Sequence, residues 1–146
     1  MDEQEVRRIA YNVIMGAPER TEVVTAANVI AASESGTTFF LNAAGGFTST
    51  LPAPAAGLRF KFIVSTAPTT AYIITTNAGA NVLQGTVANN GAETEVNGVD
   101  IANQDTINFV ANQAKVGDYV EMISDGTNWY VSGMIQDLAN LTVAVT

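Results

Sequence analysis

From about residue 21 onward, short apolar segments in period two alternate with clusters of Gly, Pro and Asn. That punctuation constrains the fold more than any other feature of the chain. Leu58, Phe60, Phe62 and Val64 alternate with Arg59, Lys61 and Ser65, the mark of a strand with one buried face. Ile63 interrupts the alternation, so the far end of that strand is expected to be covered on both sides. The same reading predicts strands at 22–24, 37–41, 48–51, 71–76, 81–83, 94–96, 106–110 and 141–145. Gly45-Gly46, Pro52-Ala53-Pro54, Ala67-Pro68, Asn77-Ala78-Gly79, Asn89-Asn90-Gly91 and Asn97-Gly98 supply the turns between them. Short strands spaced this way predict a mainly β domain, an antiparallel β-sandwich or jelly-roll-like barrel. No fixed-period repeat is visible, so neither a solenoid nor a propeller is expected.

One hairpin can be assigned a register. Gly117–Ser124 and Thr127–Gly133 flank Asp125-Gly126, a two-residue loop suited to a type I′ turn. Pairing Ser124 with Thr127 sets Met122 opposite Trp129 and Val120 opposite Val131. Those four then share an apolar face, and Tyr119, Glu121, Ile123, Asn128, Tyr130 and Ser132 share the other. A slip of one residue would mix the faces.

Before the β region, residues 2–15 read as one short amphipathic helix. Val6, Ile9, Ala10, Val13 and Ile14 line one side of it, and Asp2, Glu3 and Glu5 sit near its N-terminus. Gly16 and Pro18 end it. The chain therefore divides into an N-terminal helical arm, 1–19, and a single β domain, 20–146. So short a helix is marginal alone in water and needs a surface for its stripe.

Composition narrows the chemistry. Among 146 residues there is no Cys and no His, which removes disulfides, thiolate or imidazole zinc sites and Ser-His-Asp triads from a single chain. A net charge of -8 would repel a phosphate backbone, so nucleic acid is not an expected partner. The acidic start and the lack of a long apolar run predict neither an export signal nor a membrane span. What is left is carboxylates, hydroxyls and amides. Asp100 and Asp105 beside Asn97 and Asn103 suggest a calcium loop, but without the ligand spacing of an EF-hand they read better as turn residues. Glu93, Glu95, Glu121 and Asp125 could pair for glycoside hydrolysis, although any acidic surface offers such pairs by chance. No phosphate-binding glycine spacing is present. The expectation is a protein that is not an enzyme and holds no metal or cofactor. Tyr119 and Tyr130, as outward aromatics, could stack on a sugar ring.

Two segments resemble a known class. Thr38-Phe39-Phe40-Leu41, Gly45-Gly46, Thr48-Ser49-Thr50-Leu51-Pro52 and Gly57-Leu58-Arg59-Phe60-Lys61-Phe62 form a run similar to one in virion proteins of tailed bacteriophages. Gly117–Gly133 resembles a hairpin common in the same proteins. The resemblance covers about a third of the chain. It implies a small capsid decoration (cement) protein, bound as a homotrimer to the major capsid protein on the outer capsid surface of the virion and made in the host cytoplasm. The alternative it implies is a receptor- or glycan-binding module of a tail fibre or spike. On that reading the gripping residues are the stripe Val6, Ile9, Ala10, Val13 and Ile14 and an apolar tail, Leu138, Leu141, Val143 and Val145.

Overall fold

The computed structural model describes residues 2–8, 19–90 and 98–146. Residues 3–8 are helical and exposed, and the rest of the expected helix lies outside the described residues. The β region opens with three coils. β1 (Arg20–Val24) and β2 (Asn28–Val29) make the first, β3 (Thr37–Leu41) and β4 (Thr48–Thr50) the second, β5 (Arg59–Val64) and β6 (Tyr72–Thr75) the third. β7 (Leu83–Asn89), β8 (Gly98–Gln104), β9 (Thr106–Phe109), β10 (Tyr119–Ser124), β11 (Trp129–Ile135) and β12 (Leu141–Ala144) follow. They form a seven-stranded sheet, β1-β3-β5-β10-β11-β7-β8, and a five-stranded sheet, β12-β9-β6-β4-β2.

The two sheets pack as a β-sandwich around one core. Burial along β5 alternates strictly, with Phe60, Phe62 and Val64 inward. Phe39 stacks on Phe62 at 5.2 Å between ring centroids, and Phe60 lies 5.7 Å from Trp129. Tyr72, Ile74, Ile107, Phe109 and Leu141 fill the core from the opposite sheet. Apolar area removed from water is the main stabilising term.

The sheets are mixed, which corrects the antiparallel and jelly-roll expectations. Five pairings among the described strands are parallel: β1–β3, β3–β5, β2–β4, β4–β6 and β11–β7. The cause is the winding of the first six strands. Each odd strand returns to the larger sheet only after crossing to the smaller one, and such a crossover forces parallel pairing. The result is a three-coil solenoid segment, which the sequence gives no reason to expect. Its coils differ in length: Arg20 pairs with Thr37 and Thr38 with Lys61, while Asn28 pairs with Ser49 and Thr48 with Ile73. Unequal steps leave no period to detect.

The second half clamps the first. β10 pairs antiparallel with β5, β11 pairs with β7, and β9 pairs antiparallel with β6. β11 is held closely on both sides, because Cβ atoms at Gly85 and Gly133 would stand 2.0 Å and 2.2 Å from the carbonyl oxygens of Val131 and Tyr119. The β10–β11 hairpin keeps the expected faces but not the expected register. Ser124 pairs with Trp129 and Met122 with Val131, giving a four-residue loop in place of Asp125-Gly126 alone. The Asp125 carboxylate accepts the amides of both Thr127 and Asn128, and the Ser124 hydroxyl oxygen accepts that of Gly126. These bonds hold the longer loop. Because the slip is two residues, Trp129, Val131, Met122 and Val120 still point inward.

Candidate binding surfaces

Two features of the sandwich stand open to a partner. The first is the end formed by the first coil. β1 terminates the larger sheet and β2 the smaller, so among the described residues both have an unpaired outer edge. Here Val23 is 60% and Val29 80% exposed. Unpaired strand edges are templates for strand addition. The helical residues 3–8 precede β1 in the chain, and Val6 of the expected stripe is half exposed. Ile9, Ala10, Val13 and Ile14 lie outside the described residues.

The second feature is the outer face of the larger sheet, whose side chains fall into rows because paired residues share a face. One row is apolar: Val23, Phe40, Ile63, Tyr119, Met134 and Ala88. Next to it runs a polar row, Thr21, Thr38, Lys61, Glu121, Ser132 and Thr86. A third holds Arg59, Ile123, Tyr130 and Gln84. An open groove of about 270 Å³, walled by Glu19, Thr38, Lys61, Glu121, Ile123 and Tyr130 among others, crosses the face. Ile63 is thus not enclosed by a second layer; it is half-buried between Phe40 and Tyr119 in a solvent-facing row. The signal for this row was available: Val23, Phe40, Ile63 and Met134 are apolar residues at the outward phase of their strands.

The two outward tyrosines do not form one platform. Tyr119 is half-buried with the Lys61 ammonium 4.6 Å above its ring centroid, a cation–π contact. Tyr130 is 47% exposed and donates its hydroxyl to Asp125 at 3.2 Å. It pairs with Ile123, four residues along β10 from Tyr119, or about 13 Å.

The carboxylates are dispersed. The amides of Asn128 and Thr127, then the Tyr130 hydroxyl, hold Asp125 below the usual carboxylate range. That is the opposite of what a general acid needs. Glu121 stands in the polar row, while Glu93 and Glu95 lie outside the described residues. The calcium reading fails on geometry. Asp105 is buried and turned to Thr146, accepting its amide at 3.0 Å and its hydroxyl at 2.7 Å. Asn103 accepts from Gln84 at 2.6 Å, Asp100 sits on the exposed edge strand β8, and Asn97 is outside the described residues. No three His, Cys, Asp or Glu among the described residues are grouped to hold a metal ion.

The tail is corrected too. Leu141 is buried at 1% and Val143 packs against the core, both within β12, which pairs with β9. This segment is the last strand of its own sheet rather than an arm for a neighbour. Leu138 is half-buried, and only Val145 of the four is exposed. No helix among the described residues is long and apolar enough to cross a membrane. Comparison with protein-family models and with curated proteins gives no match for this chain.

Proposed function

We propose that the chain is a non-enzymatic structural protein of a tailed-phage virion, which binds the outside of the assembled head and stabilises it. The observation that carries this reading is the open first coil. Two unpaired strand edges lie at one end of the sandwich, with Val29 exposed at 80%. An extended segment of a shell subunit can add to such an edge through main-chain hydrogen bonds, while Val23, Val29 and the Val6 stripe supply apolar contact. The partners are then the subunits of the shell. A net charge of -8 suits an outer surface away from packaged nucleic acid.

No catalysis is required. A protein that binds only the assembled shell stabilises it by mass action, by about 2.7 kcal/mol at roughly one hundred times its dissociation constant. The test is to add purified protein to undecorated heads and to score co-sedimentation and the temperature of head disruption. The expected result is co-sedimentation and a raised disruption temperature, both lost in Val29→Glu, whose side chain is too exposed for the change to unfold the domain. Heads whose stability is unchanged by saturating protein would refute the reading.

A further inference from the structure

We infer that the outer face of the seven-stranded sheet is a self-association surface, pairing with the same face of a second copy about a twofold axis. The axis runs roughly along the strands, between β5 and β10. This goes beyond the capsid reading and does not depend on it, since the open first coil and this face share only the Val23 corner.

The starting point is a pair of charges that do not meet. Lys61 and Glu121 are direct cross-strand partners on the outer face. Among the described residues the one ion pair is Arg7–Glu3, so Lys61 and Glu121 form none within the chain. Lys61 instead stands over Tyr119, and Glu121 is exposed. A twofold axis between their strands sets Lys61 of each copy over Glu121 of the other, twice per dimer.

The same operation matches the apolar and polar rows, and in the third row sets the Arg59 side chain over Ile123. It lays the apolar row on itself, with Ile63 over Tyr119, Phe40 over Met134 and Val23 over Ala88. In the polar row it sets Thr38 over Ser132 and Thr21 over Thr86. Tyr130, which projects from β11, falls over Gly36 of the second copy. Gly36 precedes β3, its amide bonded to the Arg59 carbonyl at 2.8 Å, and nothing lies within 4 Å of where its Cβ would be. A bulky exposed ring therefore meets open space. Sliding the copies by two residues along the strands, the next offset at which outward side chains face one another, would instead set Lys61 on Tyr119 or Ile123, so charge and apolarity choose one register.

Exposure points the same way. Of the eight large hydrophobic side chains exposed among the described residues, Val23, Ile123, Tyr130 and Met134 lie on this face. Clustering of that kind marks an interaction site, whereas scattered single residues do not. Six strands about 4.8 Å apart and three outward rows give a patch of about 29 by 20 Å. Its pairing would bury about 1,150 Å² in total, near the lower bound for a specific interface. The dimer is accordingly expected at micromolar concentrations.

The experiment is sedimentation analysis of the full chain in about 0.15 M salt, as wild type, Lys61→Glu, Glu121→Lys and an equimolar mixture of the two variants. The expected wild type is a dimer with a micromolar dissociation constant. Each variant alone places like charges across the axis at both contacts and should weaken association by about tenfold or more. Mixing restores both attractions, so the heterodimer should return to within about threefold of the wild type. That recovery also shows that each variant is folded. A wild type that stays monomeric to about 100 µM, or forms a trimer, would overturn the proposal. So would variants that associate like the wild type, or a mixture no tighter than its components.

Discussion

Asp118 offers the most direct test of how the two halves of the sandwich are held. It is buried at 1% exposure in the turn before β10. Its carboxylate accepts the Lys115 amide at 2.8 Å, the Gln136 amide at 2.9 Å and the Asn140 side-chain amide at 2.9 Å. One side chain thus joins the turn before β10, the end of β11 and the short helical turn before β12. Asp118→Asn keeps one acceptor oxygen, which at the Oδ2 position serves both the Lys115 and Asn140 donors, and points its NH₂ at the Gln136 amide. One bond to a charged acceptor is lost, one buried donor then faces another, and the two remaining bonds lose the charge of their acceptor. At about 1.5–3 kcal/mol for a bond to a charged group, with the weakening of the other two added, the cost should be about 2–4 kcal/mol. The assay is urea unfolding followed by Trp129 fluorescence, with the midpoint falling at an unchanged slope. Asn140→Ala in the Asp118→Asn background removes a bond already weakened by the loss of the carboxylate charge, so the double variant should cost less than the sum of the singles. A loss under about 1 kcal/mol for Asp118→Asn, or strict additivity, would show that the carboxylate does not join these segments.

Other consequences can be checked singly. Gly85 has φ 135°, and a Cβ there would meet the Val131 carbonyl at 2.0 Å. Gly85→Ala should therefore cost about 2–4 kcal/mol by thermal or chemical unfolding, and a neutral result would mean that β7 and β11 are not this close. Asp125 has a lowered pKa in the fold, so its contribution is present above the usual Asp range and is lost as pH falls through the depressed value. The Thr127 and Asn128 amide resonances should accordingly titrate with a midpoint below the ordinary Asp value, and Asp125→Asn should abolish that transition. A midpoint at or above the ordinary value would contradict the loop geometry.

Period two carried the assignment of faces and little else. The inward positions of β5, β10 and β11 could be read directly, because Phe60, Phe62, Met122, Val120, Trp129 and Val131 alternate with polar neighbours. The hairpin register could not, since a slip of two residues leaves every side chain on the same face. What decided it was a pair of Asp125 hydrogen bonds within the loop, below the resolution of an apolar pattern. Strand neighbours were equally hidden. Thr38 and Lys61 pair across a coil that no repeat announces, and β8 lacks clean alternation because Gly98, Asn103 and Gln104 interrupt it. β2, with two residues, is too short for any period. The tail reads as apolar whether it packs at home or on a neighbour; the contacts of Leu141 with the core decide between them. The candidate surface was legible in part, since an apolar residue at an outward phase is visible in sequence. Its continuity across strands needs the strand order.

The strand order also fixes how association should respond to salt. Two copies each carry a net charge of -8, yet the paired face balances Lys61 and Arg59 against Glu121 and Glu19, so the excess negative charge lies elsewhere. At a centre-to-centre separation of about 25 Å, the unscreened repulsion of the two net charges in water is about 10 kcal/mol. Debye lengths of about 30 Å at 0.01 M and 10 Å at 0.1 M reduce it to about 5 and about 1 kcal/mol. The two Lys61–Glu121 contacts are short and contribute about 0.2–1 kcal/mol each, so screening removes less from them than from the long-range repulsion. Association through this face should therefore tighten by roughly two orders of magnitude between 0.01 and 0.1 M salt. The apolar row, which does not depend on salt in this range, supplies the attraction that remains. Sedimentation across that range measures it. A dissociation constant that rises with salt would mean that charge contacts, and not the row from Val23 to Ala88, hold the copies together.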